Sequence, residues 1–242
     1  MIQLNKEQTL AVRHADGPML VLAGPGSGKT FVLTERIRFL IQEKNIRSNE
    51  ILVITFSKKA AEEMRQRFQK LCTNTYDQVR FGTFHAIFFH ILQHYHNYQK
   101  ESILTHTAKK EYIRNAAKHL DPDELYDDTW CEDMLYKISR YKNAGENAAE
   151  SVAFADEKQT EQFLTVYSLY QKQCHMENTL DFDDMIIKCY RLFAKNPNVC
   201  GEWRKIFQYI LIYEFQDCSL MQYEIIKLLA GEACNLFAVG DV

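Results

Sequence analysis

The sequence predicts an α/β fold, a parallel sheet with an inserted helical subdomain. Three observations carry that expectation. Short apolar runs recur towards both ends of the chain, at 19–23, 51–54, 209–212 and 236–239, with helical spacing between them. From roughly residue 90 to 205 such runs vanish, and the segments become long, polar and helical. A glycine-rich turn, "GPGSGKT", stands directly after the first apolar run. Continuous apolar strands separated by helices imply a parallel sheet, because the crossover helices cover its faces.

Taken in order, Met19-Leu20-Val21-Leu22-Ala23 reads as the first strand. A helix runs from Lys29 to about Glu43, with Val32, Leu33, Ile37 and Leu40 on one face. Residues 51–54 make a second buried strand, followed by a helix through "KKAAEEMRQRFQKL". Residues 79–83 form a short third strand, and a helix begins near His85. "DPDE" at 121–124 reads as a helix start, with Asp121 as N-cap, Pro122 in the first turn and Glu124 reaching back. "NPN" at 196–198 reads as a helix stop. The sheet pattern returns at 209–214, passes through a helix at about 219–230, and ends in a strand at 236–239. The expected division is therefore 1–90 and 206–242 for the sheet domain, and 91–205 for the helical subdomain. The last residues, Gly240-Asp241-Val242, fall where a strand-to-helix loop is due, so the C-terminus reads as a cut.

Composition narrows the class. Of 242 residues, 46% are hydrophobic and 25% charged, which excludes a disordered chain. No apolar run approaches the ~20 residues of a membrane span. Met1-Ile2-Gln3-Leu4-Asn5-Lys6-Glu7 lacks a signal-peptide pattern, and a cytoplasmic protein is expected. The cysteines at 72, 131, 174, 189, 200, 218 and 234 include no C-x-x-C pair, so free thiols are expected rather than zinc. The net charge of −3 gives no bulk positive field, although a local basic stripe can still bind nucleic acid.

The chemistry concentrates in two stretches. In "AGPGSGKT" (23–30), Gly24, Gly26 and Gly28 let backbone N–H groups turn inward around a phosphate at a helix N-terminus. Lys29 is expected to reach the β- and γ-phosphates, and the Thr30 hydroxyl to bind Mg²⁺. The strict motif wants glycine where Ala23 stands. The second stretch is "YILIYEFQDC", in which Tyr213 and Glu214 close an apolar strand. In nucleotide hydrolases such a strand usually ends in two acids, the first on Mg²⁺ and the second on the attacking water. Glu214 keeps the second place and is expected to orient the water. Tyr213 occupies the first, and a phenol with a pKa of about 10 brings no charge to a metal near neutrality. The expectation is a loosened metal, retained nucleotide binding and impaired turnover.

Together these motifs resemble the N-terminal part of a superfamily 1 DNA helicase of the UvrD/Rep/PcrA type. The resemblance spans the chain: "LNKEQTLAV" (4–12), the phosphate loop with its alanine, "VITFSKKAAEEM" (53–64), "FGTFHAIFFHIL" (81–92), "LDFDDMI" (180–186), "YEFQDCSLMQY" (213–223) and "LFAVGD" (236–241). It implies a RecA-like P-loop NTPase sheet carrying a helical insertion, with ATP and Mg²⁺ as cofactors. Gln8 would read adenine, Ala23, Gly24, Pro25, Gly26, Ser27, Gly28, Lys29 and Thr30 would bind the phosphates, and Gln216 would sense the γ-phosphate. Single-stranded DNA would cross Phe56, Ser57, Lys58, Lys59, Thr83 and His85. The resemblance also implies 3′ to 5′ translocation by a monomer, and a second RecA-like domain that supplies arginines to the γ-phosphate.

Simpler readings stand beside some of these. Phe56 also suits a core aromatic at a strand end, Lys58 and Lys59 a solvated helix start, and His85 a helix N-terminus. Asp181, Asp183 and Asp184 suit a helix-capping cluster better than a catalytic one. The chain departs from the family at Tyr213, at Phe31 after the G-K-T, and at Lys58, where asparagine is commoner. Tyr213 also admits a different class, a degenerate non-motor module that binds nucleotide or DNA. A small-molecule kinase is disfavoured, since it leaves "GTFH", "DFDD" and "EFQD" unexplained.

Overall fold

A computed structural model describes residues 4–71, 78–144, 152, 154 and 156–241. The N-terminal tripeptide, Cys72 and Val242 lie outside the described residues. Ten α-helices and five strands are present among the described residues. They cluster into two units, one of residues 1–87 with 190–242 and one of residues 88–189.

The first unit holds a single sheet, all parallel, in the order β1-β5-β4-β2-β3. Its strands are β1 (Met19–Leu22), β2 (Ile51–Thr55), β3 (Arg80–Thr83), β4 (Tyr209–Tyr213) and β5 (Leu236–Gly240). Residues of β2 and β5 are buried throughout, as expected for strands covered on both faces. One face packs on α1 (Lys6–Val12), α2 (Lys29–Gln42) and α3 (Lys58–Leu71) through Val12, Leu33, Ile37, Met64 and Phe68. Arg36 on α2 is buried because its guanidinium donates to the carbonyls of Val12 and His14 at 2.8 and 2.6 Å, tying α1 down.

The apolar run at 19–23 does not become a fully buried strand. β1 lies at the sheet edge, Met19 and Val21 face the core, and Leu20 and Leu22 stay more than half exposed. Residues 190–205, expected in the helical subdomain, cluster with the sheet. The cause is α9 (Pro197–Ile206), which buries Cys200 and Trp203. Its Cys200 Sγ and Arg204 Nε both bond Leu228 O on α10 (Leu220–Ala230), at 3.3 and 2.7 Å. Asn196-Pro197 accordingly stops one helix and starts the next, with Pro197 in the first turn of α9.

The second unit is helical. Its core joins α5 (His106–Ala117), α6 (Asp128–Asn143) and α7 (Glu157–Met176) through Ile113, Cys131, Ile138, Phe163 and Val166. The "DPDE" segment is not a helix start. Asp121 accepts from the Asp123 N–H at 3.0 Å in a tight turn, Leu125 is 95% exposed, and Asp127 caps α6 instead. With Leu125 packed on nothing, the segment gains no burial from helical geometry.

Asp181 caps α8 (Phe182–Lys195), accepting from the Asp184 N–H at 2.8 Å while Asp184 Oδ2 accepts from the Asp181 N–H at 3.3 Å. Both carboxylates converge on buried Lys142, whose Nζ lies 2.6 and 2.8 Å away. Tyr170 donates to Asp181 at 2.9 Å. Burial pushes Asp181 up, but the charge and hydrogen bond of Lys142 outweigh it and hold the carboxyl below its ordinary value. Asp183 donates nothing to this cluster and accepts from Asn143 at 2.7 Å.

Candidate functional site

In a parallel sheet every strand delivers its loop to the same edge, and ligands bind outside the carboxyl ends. Three adjacent strands, β1, β5 and β4, bring the phosphate loop, Asp241 and the Tyr213-Glu214 pair together there. Ala23, the first loop residue, still donates to Gly240 O on β5 at 3.1 Å. Gly26 and Gly28 have φ of +77° and +89°, which L side chains rarely adopt, so the loop can only turn this way with glycine. Gly28 also leaves room for Gln8: a Cβ there would stand 3.1 Å from Gln8 Nε2.

Gln8 is committed at both ends of its amide. Its Oε1 accepts from the Asn5 N–H at 3.0 Å in a capping box, and its Nε2 donates to Ser27 O at 3.0 Å. The residue expected to read a base thus rests on the phosphate loop. α2 starts at Lys29 with no side-chain cap, so the N–H groups of its first turn point into the loop.

Lys29 and Thr30 project from that turn. Lys29 is 8% exposed, and its Nζ donates to Ala23 O at 3.2 Å and to the Asp241 carboxylate. That Asp241 bond is the main reason the Lys29 amine lies above its ordinary pKa. Thr30 Oγ1 donates to the Tyr213 phenol oxygen at 3.3 Å. Burial, with neighbouring Glu214, raises the phenol above its ordinary value despite the Thr30 bond. It therefore stays protonated and neutral at physiological pH. Glu214 follows in a left-handed conformation, φ +58°, which turns the chain out of β4. Its Oε2 accepts from Gln216 Nε2 at 2.7 Å, and Gln216 Oε1 accepts from the Asp241 N–H at 3.0 Å.

Magnesium takes oxygen ligands, usually with one or two carboxylates. At Thr30 the neighbouring side chain is a neutral phenol, while Glu214 is bonded to Gln216 and Asp241 to Lys29. This set fits a cation carried by nucleotide phosphates and steadied by the Thr30 hydroxyl. It does not fit one anchored by an acid at position 213.

The residues expected to meet DNA lie at the same edge, on the other half of the sheet. β2 and β3 are neighbours, with Thr55 opposite Thr83. Phe56 is half-buried and packs on Phe84, ring centroids 5.0 Å apart. Ser57, Lys58 and Lys59 are exposed, and Ser57 Oγ accepts from the Ala60 N–H at 3.1 Å at the start of α3. Thr83 is buried, and its hydroxyl accepts from the Ala86 N–H at 3.2 Å in α4 (Phe84–Tyr95), while His85 is half-buried. The exposed lysines and Phe56 form the accessible part of this group. Thr83 serves the local fold.

Sequence reasoning gave Asp241 no role, although "LFAVGD" was a recognised stretch. Its signal was position: the residue just past a strand that neighbours the phosphate-loop strand.

A parallel five-strand sheet whose first strand leads through a glycine-rich loop into an uncapped helix defines a RecA-like α/β domain of the phosphate-loop class. The chain belongs to the UvrD/REP helicase N-terminal domain family, whose sequence profile matches residues 4–242. It is 37% identical over 244 residues to the ATP-dependent DNA helicase PcrA of Staphylococcus aureus, covering 98% of this chain and 33% of that relative. It is 35% identical over 244 residues to a probable DNA helicase II homolog of Mycoplasma capricolum, covering 98% of this chain and 34% of that protein. The chain thus spans about a third of the length of these relatives. No described helix is long and apolar enough to cross a membrane.

Proposed function

We propose that this chain is the ATP-binding part of an ATP-dependent DNA helicase that moves 3′ to 5′ on single-stranded DNA as a cytoplasmic monomer. The observation that carries it is the phosphate loop: Lys29, held at the uncapped start of α2 among left-handed glycines, beside Glu214 and Gln216. Family membership and the named helicase relatives support the same reading.

The roles follow from chemistry. Loop N–H groups and Lys29 hold the β- and γ-phosphates. Gln8 offers its remaining amide capacity to the adenine edge. Glu214 orients the attacking water, and Gln216, bonded to Glu214, would sense the γ-phosphate. Mg²⁺, arriving on the nucleotide, supplies charge neutralisation there. DNA crosses Phe56 by stacking and meets Ser57, Lys58, Lys59 and His85 along its backbone, while Thr83 supports the turn beneath them. A second RecA-like domain supplies arginines, which in comparable NTPases are worth ~10³–10⁵ in rate. The 242-residue chain alone is therefore expected to bind nucleotide and to hydrolyse it negligibly.

Calorimetric titration with ADP and a non-hydrolysable ATP analogue tests this. Binding by the parent and loss of binding in Lys29→Ala are expected. No binding by the parent would sink the reading, as would DNA-stimulated hydrolysis by the 242-residue chain on its own. The Thr30–Tyr213 contact favours one other reading, a non-motor module that binds nucleotide without turning it over. In the intact protein, absence of DNA-stimulated ATP hydrolysis decides for the module, and a Tyr213→Asp variant no faster than its parent refutes the idea that Tyr213 impairs turnover.

A further inference from the structure

We propose that Asp241 occupies Lys29 in place of a phosphate, and that a nucleotide binds by displacing it. The inference rests on the nucleotide reading above and adds a residue to it. The Lys29 side chain is only 8% exposed, and its ammonium bonds Ala23 O and the Asp241 carboxylate. Asp241 is different, with 39% of its side chain exposed. Its carboxylate can exchange the amine for water at small cost. The pair is therefore asymmetric: Lys29 is held by the loop as well, whereas Asp241 opens to solvent and can leave.

A polyphosphate and Asp241 compete for the same Nζ, because holding both would press like charges together. The place of Asp241 makes that competition direct. β5 runs between β1 and β4, so its end adjoins the phosphate loop on one side and Glu214 on the other. Gln216 links the two acids, accepting from the Asp241 N–H and donating to Glu214. Gly240 permits that link, since a Cβ there would stand 2.9 Å from Gln216 Oε1. That link runs through the Asp241 backbone N–H, so the side chain can leave Lys29 without breaking it. The exchange needs a phosphate, and a nucleoside without one leaves the pair intact.

The test is calorimetry on the 242-residue chain with ADP and with adenosine. Asp241→Asn and Asp241→Ser are expected to bind ADP about 3–10-fold more tightly than the parent, since the competitor that lowers the available fraction of Lys29 is gone. Adenosine affinity should not change, and Asp241→Glu should behave as the parent. A second readout needs no nucleotide. Because the Asp241 carboxylate sits on the Lys29 amine, Asp241→Asn should let an amine-acylating reagent label Lys29 faster, scored by peptide mass spectrometry. Unchanged or weaker ADP binding by both variants, with unchanged labelling of Lys29, overturns the proposal. A parent and variants that all fail to bind ADP sink the nucleotide reading and this one with it. Faster labelling in that case would still mark the ion pair itself as real.

Discussion

Among the described residues the two buried lysines, Lys142 and Lys29, both contact aspartates, and they behave as opposites. Lys142 in the helical unit is 1% exposed, and its partners Asp181 and Asp184 are 7% and 6% exposed. The Lys29 side chain at the edge of the sheet is 8% exposed, and its partner Asp241 opens to solvent at 39%. In the first, all three charges left water together, and each depends on the others. In the second, only the lysine is trapped. A pair buried on both sides is a structural fastening, whereas a pair buried on one side is a site that accepts a different anion.

The contrast can be broken most forcefully at Lys142. Lys142→Met strands two buried carboxylates and should lower unfolding stability by about 3–5 kcal/mol, read from urea denaturation. A loss within ~1 kcal/mol would show that this cluster is as exchangeable as the other. Lys29→Ala should do the reverse. It removes charge-assisted bonds to the nucleotide, weakening ADP binding by roughly 100-fold or more and out of calorimetric reach, while the denaturation midpoint stays near that of the parent. Tyr213→Asp gives a subtler separation. ADP affinity without metal should change little or fall, and affinity in Mg²⁺ should rise by roughly 3–10-fold as a carboxylate reaches the Thr30 position. Equal gains with and without Mg²⁺ would remove the metal from the explanation. The smallest effect is expected from Gly240→Ala, which pushes the flexible end of Gln216 away from Asp241. Stability should fall by less than ~1 kcal/mol, and coupling between ADP binding and Glu214 should be what changes, visible as the loss of any added effect of Gln216→Ala.

Much of the fold was legible because its signals are local. Continuous apolar runs such as 51–54 and 236–239 mark strands covered on both faces, and glycines followed by Lys29 mark a loop at a helix start. The edge position of β1 was not legible, since Leu20 and Leu22 look like Leu52 until strand order is known. "DPDE" misled because capping residues need an apolar stripe behind them, and Leu125 has nothing to pack on. At the site, the phosphate loop and the departure at Tyr213 were readable from motif alone. The contacts that decide their behaviour were not. Tyr213 meets Thr30 across 183 positions of sequence, and Asp241 meets Lys29 across 212. No periodicity carries information over such distances. Only the parallel order, which sets β5 between β1 and β4, makes those residues neighbours.

The left-handed turn at Glu214 has a consequence for descent as well as for chemistry. A non-glycine residue with φ of +58° carries a conformational cost that glycine escapes and asparagine or aspartate partly avoids. Replacements at 214 are thus filtered twice, once for a carboxylate and once for a backbone that bends the unusual way. A lineage that gave up the acid would slide most cheaply to asparagine or glycine, and would resist valine or isoleucine even after catalysis had ceased to matter. That a glutamate still stands at so costly a turn, one residue after a tyrosine has taken the place of the expected acid, makes position 214 the informative one to follow among related chains.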